Sequence, residues 1–343
     1  MKILYAIQGT GNGHLSRARD VVPLLMERGE VDLLVSGTQA DVRLPYPVKY
    51  QLHGLSFVFG KQGGIDFWQT YRRNRVARFV REIRRVPVRE YDLVVNDFEP
   101  VSAWACWWRR QPCVGLSHQY AVLAQAAPKP RTRDYFGEFI LKRYAPATAH
   151  YGFHFARFAD NIFTPVIRQQ VRALQPTDEG HYTVYLPAYD DATLVRKLSH
   201  FPGARWRVFS KHNRGAFTEG NVEVRPVDNE AFVSSMASGR GVLCGAGFET
   251  PAEALFLGKR LMVVPMKGQY EQQLNAAALA HLGVPVLKSL KKKHFFKIQT
   301  WLNDGQPVPV NFPDETRRIV HDLVEAHAGA ERTPIFQPLI ASS

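Results

Sequence analysis

A chain of 343 residues is long for one domain and comfortable for two, and 45% hydrophobic with 22% charged residues fits a folded protein with substantial cores. The formal charge of +13 implies an anionic partner, whether nucleic acid, an anionic membrane or a phosphorylated substrate. Three cysteines, Cys106, Cys113 and Cys244, lie in apolar runs without metal-ligand spacing; this excludes a disulfide or zinc framework and reads as the reduced core of a cytosolic protein. No apolar run reaches transmembrane length, and MKILYAI enters a glycine-rich turn too soon for a signal peptide, so at most the protein lies at the inner face of a membrane.

Residues 2–7, KILYAI, predict a first strand, and QGTGNGHLSRARDVVPLL a loop and helix. The glycines stand at Gly9, Gly11 and Gly13, with Thr10 and Asn12 between them. A dinucleotide fingerprint needs glycine where His14 stands and an acidic end to the second strand. That strand, VDLLVSG, ends in Ser36 and Gly37, so the NAD reading fails on both counts. The loop can still seat a diphosphate or let an acceptor approach the backbone. The plainer alternative is a tight turn with His14 exposed in the first turn of the helix.

Residues 38–66 are rich in Gly, Pro and aromatics, and a basic helix, TYRRNRVARFVREIRRVPVRE, follows. Val76, Phe79, Val80, Ile83 and Val86 form a narrow apolar stripe. Eight arginines from Arg72 to Arg89 (72, 73, 75, 78, 81, 84, 85 and 89) face a single acidic residue, Glu82. A charge run is usually a solvated face, but this excess also suits an anionic membrane or a lipid diphosphate. It suits nucleic acid less, since no aromatic interleaving or nucleic-acid motif accompanies it.

The run YDLVVNDFEP predicts a buried strand ending in Asp97 and Glu99, with Trp104, Trp107 and Trp108 on a helix packed behind it. The strand PCVGLSH ends in His118, Gln119 and Tyr120. Two strand ends thus deliver a carboxylate pair and a histidine toward the edge of the first glycine-rich loop. Asp97 or Glu99 can orient His14 or act as a base; the plain reading is helix capping. The basic, aromatic segment 129–155 suits an acceptor-binding region.

ADNIFTP closes a first domain, 1–164, and HYTVYLPAYDD restarts the α/β pattern in a second, 165–343. Asp190 and Asp191 read as the cap of the helix DATLVRKL rather than a metal pair. RWRVFSKHN leaves Lys211 at a strand end, where a cation meets a phosphate. Either Asp228 or Asn229 opens the helix after NVEVRP. GVLC then runs into Gly245, Ala246, Gly247, Phe248 and Glu249. A helix is expected from Thr250 with Pro251 in its first turn, stopped by Gly258. Thr250 and Glu253 have capping-box spacing. RLMVV and MKGQY follow, then a helix carrying Gln272, Gln273 and Asn275. These two strand–loop–helix units present their loops at the carboxyl edge of a parallel sheet, where open α/β sheets bind ligands. A final helix, PDETRRIVHDLVEAH, precedes a polar tail.

The small-residue loop, the glutamate eight residues after Gly245, the Gln-Gln-x-Asn set and the N-terminal G-T-G-x-G-H together resemble a GT-B glycosyltransferase. The pattern is similar to that of the N-acetylglucosaminyltransferases acting on the lipid precursor of peptidoglycan and of UDP-glycosyltransferases. The resemblance implies two Rossmann-like parallel-sheet domains facing a cleft, and an inverting, metal-independent hexosyltransferase without cofactor. It implies a nucleotide-diphosphate sugar, most simply a UDP sugar, in the C-terminal domain: phosphates on 245–249 with Lys211, ribose on Glu253, sugar hydroxyls on Gln272 and Gln273. In the N-terminal domain it implies His14 as the base, with Asp97 or Glu99 as partner and Gly9 to Gly13 and His118 beside the acceptor. The acceptor would be a lipid-linked or cell-envelope hydroxyl. The alternatives are a nucleotide-sugar epimerase or hydrolase of the same fold, and a non-catalytic basic binder of membranes or nucleic acid.

Overall fold

The computed structural model describes residues 1–10, 12–37, 44–55 and 76–329. Gly11, Arg72, Arg73, Arg75, the GKQGGID loop and the tail from 330 lie outside the described residues. The chain divides into two compact units, Met1–Ala127 with Asp134–Arg168 and Pro313–Ser343, and Pro128–Arg133 with Gln169–Phe312.

The first unit runs through β1 (Lys2–Gln8), α1 (Asn12–Met26), β2 (Glu30–Ser36), β3 (Tyr50–Leu52), α2 (Val76–Arg85), β4 (Leu93–Asp97) and α3 (Pro100–Arg109). It continues with β5 (Val114–Ser117), the single turn α4 (His118–Ala121), α5 (Tyr135–Arg143), β6 (Ala149–Phe153) and β7 (Ile162–Phe163). All seven strands pair parallel in the order β3-β2-β1-β4-β5-β6-β7. A parallel sheet is covered on both faces, which is why its central strands read as continuous apolar runs. Ile3 to Ile7 and Leu93 to Val95 are all buried.

The second unit comprises α6 (Gln169–Arg172), β8 (His181–Tyr185), α7 (Asp191–Leu198), β9 (Arg205–Ser210), β10 (Phe217–Glu219), β11 (Val222–Pro226) and α8 (Asn229–Ser238). β12 (Gly241–Gly245), α9 (Glu249–Phe256), β13 (Arg260–Val264), α10 (Tyr270–His281) and α11 (Phe295–Asp304) complete it. The strand order is β10-β11-β9-β8-β12-β13, parallel except for β10 against β11. Tyr182, Trp206, Phe201 and Trp301 anchor its core. Asp190 caps α7 through the Thr193 N–H (2.7 Å), and Asp228 rather than Asn229 caps α8 through the Ala231 N–H (2.8 Å).

The domain boundary departs from the expected 164/165. The second unit's main segment begins at Gln169, and the last helix, α12 (Thr316–His327), belongs with the first unit. The cause is apolar: Ile319, Val320, Leu323 and Val324 are buried, and α12 packs along α1. Arg317 and His321 also pair with Glu27, just beyond α1, and Tyr151 on β6 meets His327 at 3.2 Å.

Both sheets carry a topological switch point. In the first, the chain runs outward from β1 through β2 to β3, then restarts on the other side of β1 at β4. In the second, it runs from β8 to β9, out to the edge strand β10 and back to β11 beside β9, then restarts on the other side of β8 at β12. In doubly wound sheets ligands bind outside the carboxyl ends of strands at this point. The candidate residues are placed accordingly.

Candidate active site

At the first switch point β1 and β4 are neighbours, with Ile7 opposite Asp97. α1 starts shortly after β1 and carries His14 in its first turn, so His14 and Asp97 meet across the crevice. His14 Nδ1 lies 2.8 Å from Asp97 Oδ1. Arg17, one turn further along α1, donates from Nη2 to both Asp97 oxygens at 2.6 and 2.8 Å. Tyr5 adds a longer contact from its hydroxyl to Asp97 Oδ2, 3.4 Å. Asp97 is fully buried. Burial alone would raise its pKa, but the Arg17 charge, with His14 and the hydrogen bonds, brings it down to about 2.

An ionised carboxylate only accepts, so the contact with Asp97 carries its hydrogen on Nδ1, and Arg17 Nη2, also a donor, stands 3.1 Å from that same nitrogen. Gln119 Nε2, an amide donor, stands 3.4 Å from His14 Nε2. His14 is therefore held from both sides at the carboxyl edge of the sheet.

The turn after β4 separates two carboxylates that the sequence places side by side. Phe98 has φ 56°, the left-handed region that a bulky residue enters only under constraint. Asn96 supplies the constraint: its Oδ1 accepts from the Glu99 N–H (3.0 Å), and its Nδ2 donates to the Glu99 carbonyl (2.7 Å) and to Ser102 Oγ (2.9 Å). Phe98 packs on Tyr144 and Tyr120. Asp97 is thereby turned to His14, and Glu99 to the start of α3, where it accepts from the N–H groups of Val101 (2.7 Å) and Ser102 (2.6 Å). The two were equal candidates as partner of His14; the structure joins Asp97 to it and makes Glu99 a helix cap.

The other N-terminal candidates divide likewise. Gly9 is set by backbone approach: its N–H donates to the Ser36 carbonyl at 2.6 Å, and a Cβ there would come within 2.9 Å of Val35 Cγ1. Thr10 Oγ1 accepts from Gln8 Nε2 at 2.9 Å, and Asn12 and Gly13 are the first residues of α1. His118 is buried and donates from Nδ1 to the Phe153 carbonyl at 2.7 Å. Its neighbour Gln119 is the residue that meets His14. Sequence reading missed Arg17, Gln119 and Tyr5 as members of this cluster. The signal for Arg17 was its i+3 spacing from His14, which puts both on one helix face.

At the second switch point β12 ends at Gly245, and α9 begins at Glu249, one residue earlier than expected. Phe248 occupies the cap position without a side-chain bond, and Thr250 is already the second helical residue. The capping-box reading of Thr250 and Glu253 therefore fails. Glu253 lies in the second turn, buried. The following helix ties both loops down. Asn275 on α10, fully buried, donates from Nδ2 to the Ala246 carbonyl (3.1 Å), and Gln272 Oε1 accepts from the Met266 N–H (2.9 Å). A Cβ on Gly245 would lie 3.7 Å from Gln272 Oε1, whereas one on Gly247 would meet nothing within 4 Å among the described residues. The structure thus brings the 245–247 loop together with Gln272 and Asn275. Gln273 follows on α10, half-buried, and Lys211 is exposed just beyond β9, on the far side of β8 from β12.

Solved structures similar to this chain share its fold at low identity. MurG of Acinetobacter baumannii is 15% identical with a TM-score of 0.53, covering 95% of this chain and 99% of that one. A UDP-N-acetylglucosamine 2-epimerase is 14% identical, TM-score 0.56, with 95% and 96% covered. Arabidopsis thaliana UGT89C1 complexed with UDP is 14% identical, TM-score 0.54, with 95% and 94% covered. A search of curated proteins gives no match. Residues 1–303 match the profile of glycosyl transferase family 1. With two switch-point sites on a GT-B fold and a family match over most of its length, the chain belongs to glycosyl transferase family 1 and is a hexosyltransferase-type glycosyltransferase.

Proposed function

We propose that the chain transfers a sugar from a UDP sugar to an acceptor hydroxyl, with inversion and without a metal. The observation that carries this reading is the placement of His14, whose Nδ1 faces the buried Asp97 carboxylate at 2.8 Å and whose Nε2 lies on the other side of the ring, 3.4 Å from the Gln119 amide. In this role Nε2 takes the acceptor proton as the acceptor oxygen bonds to the anomeric carbon. The bond to the diphosphate breaks on the opposite face, and Asp97 stabilises the imidazolium that forms.

The donor belongs to the second unit. Its phosphates rest on residues 245–249 at the positive end of α9, with Lys211 as a further cation, and the same helix dipole stabilises the leaving diphosphate. The open surroundings of Gly247 support this, because a glycine there answers no packing need among the described residues. Glu253 takes the ribose. Gln272, with Oε1 engaged by Met266, offers its amide N–H groups to a sugar hydroxyl, and Gln273 adds a second amide. Two structural neighbours carry UDP in their names, which supports uridine by analogy. Asp190 and Asp191 have structural duties, the cap of α7 and a bond from Ser210, so they are not assigned to a metal. The cationic surplus favours an acceptor that is itself anionic, such as a diphosphate-linked lipid at the cell envelope.

The test is transfer by His14→Ala. Loss of the base should lower turnover by roughly 10²–10⁴-fold while donor binding is kept. Unchanged turnover would remove His14 from the mechanism. Sugar released from donor alone, at a rate no acceptor alters, would favour the epimerase or hydrolase reading.

A further inference from the structure

Away from this site, α2 and α3 meet at their outer ends. Of the three tryptophans on α3, Trp104 joins the core, whereas Trp107 and Trp108 are 50% and 52% exposed. Both are held in place rather than loose. Trp107 sits edge-on to Trp104 at 5.3 Å, and the Arg84 guanidinium lies 5.3 Å over the Trp108 ring. The two helix ends are also stitched together. Arg109 donates to the carbonyls of Ile83 (3.0 Å) and Arg84 (2.7 Å) in the last turn of α2, and Arg89 donates to the Arg109 carbonyl (2.9 Å).

Besides Arg84 over Trp108, the arginines Arg81 and Arg85 of α2 and Arg110 at the end of α3 are exposed. The one carboxylate of α2, Glu82, is turned inward to the N–H groups of His53 and Gly54. Glu90, just beyond α2, is the exposed acid close in sequence. Solvation accounts for arginines on a surface helix but not for an indole pair kept in water. Indoles with a polar N–H and an apolar body belong where one side is wet and the other apolar, at the level of lipid headgroups. Nucleic acid fits less well: single-strand binding uses open aromatic faces for base stacking, and Arg84 already covers one face of Trp108.

We propose that these helix ends dock the protein on an anionic lipid bilayer, with arginines on lipid phosphates and the two indoles at headgroup depth. The inference goes beyond the sugar-transfer reading and does not depend on it, because binding is measured without donor or acceptor. The experiment is sedimentation of the full chain with vesicles of phosphatidylcholine alone or with phosphatidylglycerol, followed by tryptophan fluorescence. Expected are binding to the phosphatidylglycerol vesicles only, weakening with salt, and a blue shift of emission.

Arg84→Glu with Arg85→Glu should lower partitioning at least ~25-fold, about fivefold for each charge removed. Trp107→Ser with Trp108→Ser should abolish the blue shift. Both pairs are exposed, and circular dichroism checks their fold. Absence of binding to anionic vesicles at low salt, equal binding by either double variant, or preference for a single-stranded oligonucleotide would overturn the proposal. Nucleotide-sugar binding by the same variants is expected to be unchanged, which separates this outcome from failure of the donor site.

Discussion

At His14 the chemistry turns on which nitrogen carries the proton. Asp97 accepts at 2.8 Å from Nδ1, and Arg17 keeps Asp97 ionised. Asp97→Asn removes that obligatory acceptor, so transfer should fall by roughly 10²-fold or more with donor affinity unchanged, as initial rates and titration will show. The same pair leaves a mark on stability. With the folded pKa lowered to about 2, Asp97 stabilises the fold fully above its ordinary value of about 3.9. That contribution is lost as the pH falls from there through about 2, because the unfolded state takes up the proton first. Urea midpoints should therefore drop across this window in the wild type, and less steeply in Asp97→Asn.

At the scale of elements, loops do the positioning and helices hold the loops. Asn275 reaches from α10 to the Ala246 carbonyl, which sets the loop that follows β12. Asn275→Ala leaves that carbonyl without this donor, at a cost of about 1–3 kcal/mol in thermal unfolding, and should weaken nucleotide binding with no substitution in the loop itself. The elements were legible where periodicity and glycines speak: β1, β4 and β12 as apolar runs, and the glycine-rich turns after β1 and β12. What stayed hidden depends on a single φ or a one-residue offset. Phe98 at φ 56° sends Asp97 and Glu99 to different duties, and no residue type at that position announces it. The start of α9 at Glu249 removes the Thr250 capping box, although the spacing satisfied it. Gln119 stood one position from the expected His118, an ambiguity that any strand end carries.

At the scale of the whole molecule, two parallel sheets could be read from the repeated α/β pattern, while the path of the last helix could not. An amphipathic helix shows its apolar stripe in sequence, but not which unit the stripe covers. Ending the chain before Thr316 would strip Ile319, Val320, Leu323 and Val324 from the first unit, each worth about 1.5–3 kcal/mol on burial. Limited proteolysis should then cut within residues 1–168 first, while the segment 169–312 resists. Preferential cutting of the second unit would contradict the assignment of α12 to the first.

The most direct measurement for the account is calorimetric titration of the full chain with UDP, GDP, TDP and their common sugars, beside Glu253→Ala and His14→Ala. The account predicts binding of the uridine nucleotide, weakened roughly 10- to 150-fold by Glu253→Ala, the equivalent of about 1.5–3 kcal/mol for hydrogen bonds to a charged group. It predicts no change in His14→Ala. Absence of binding by any nucleotide, or binding indifferent to Glu253, would contradict it.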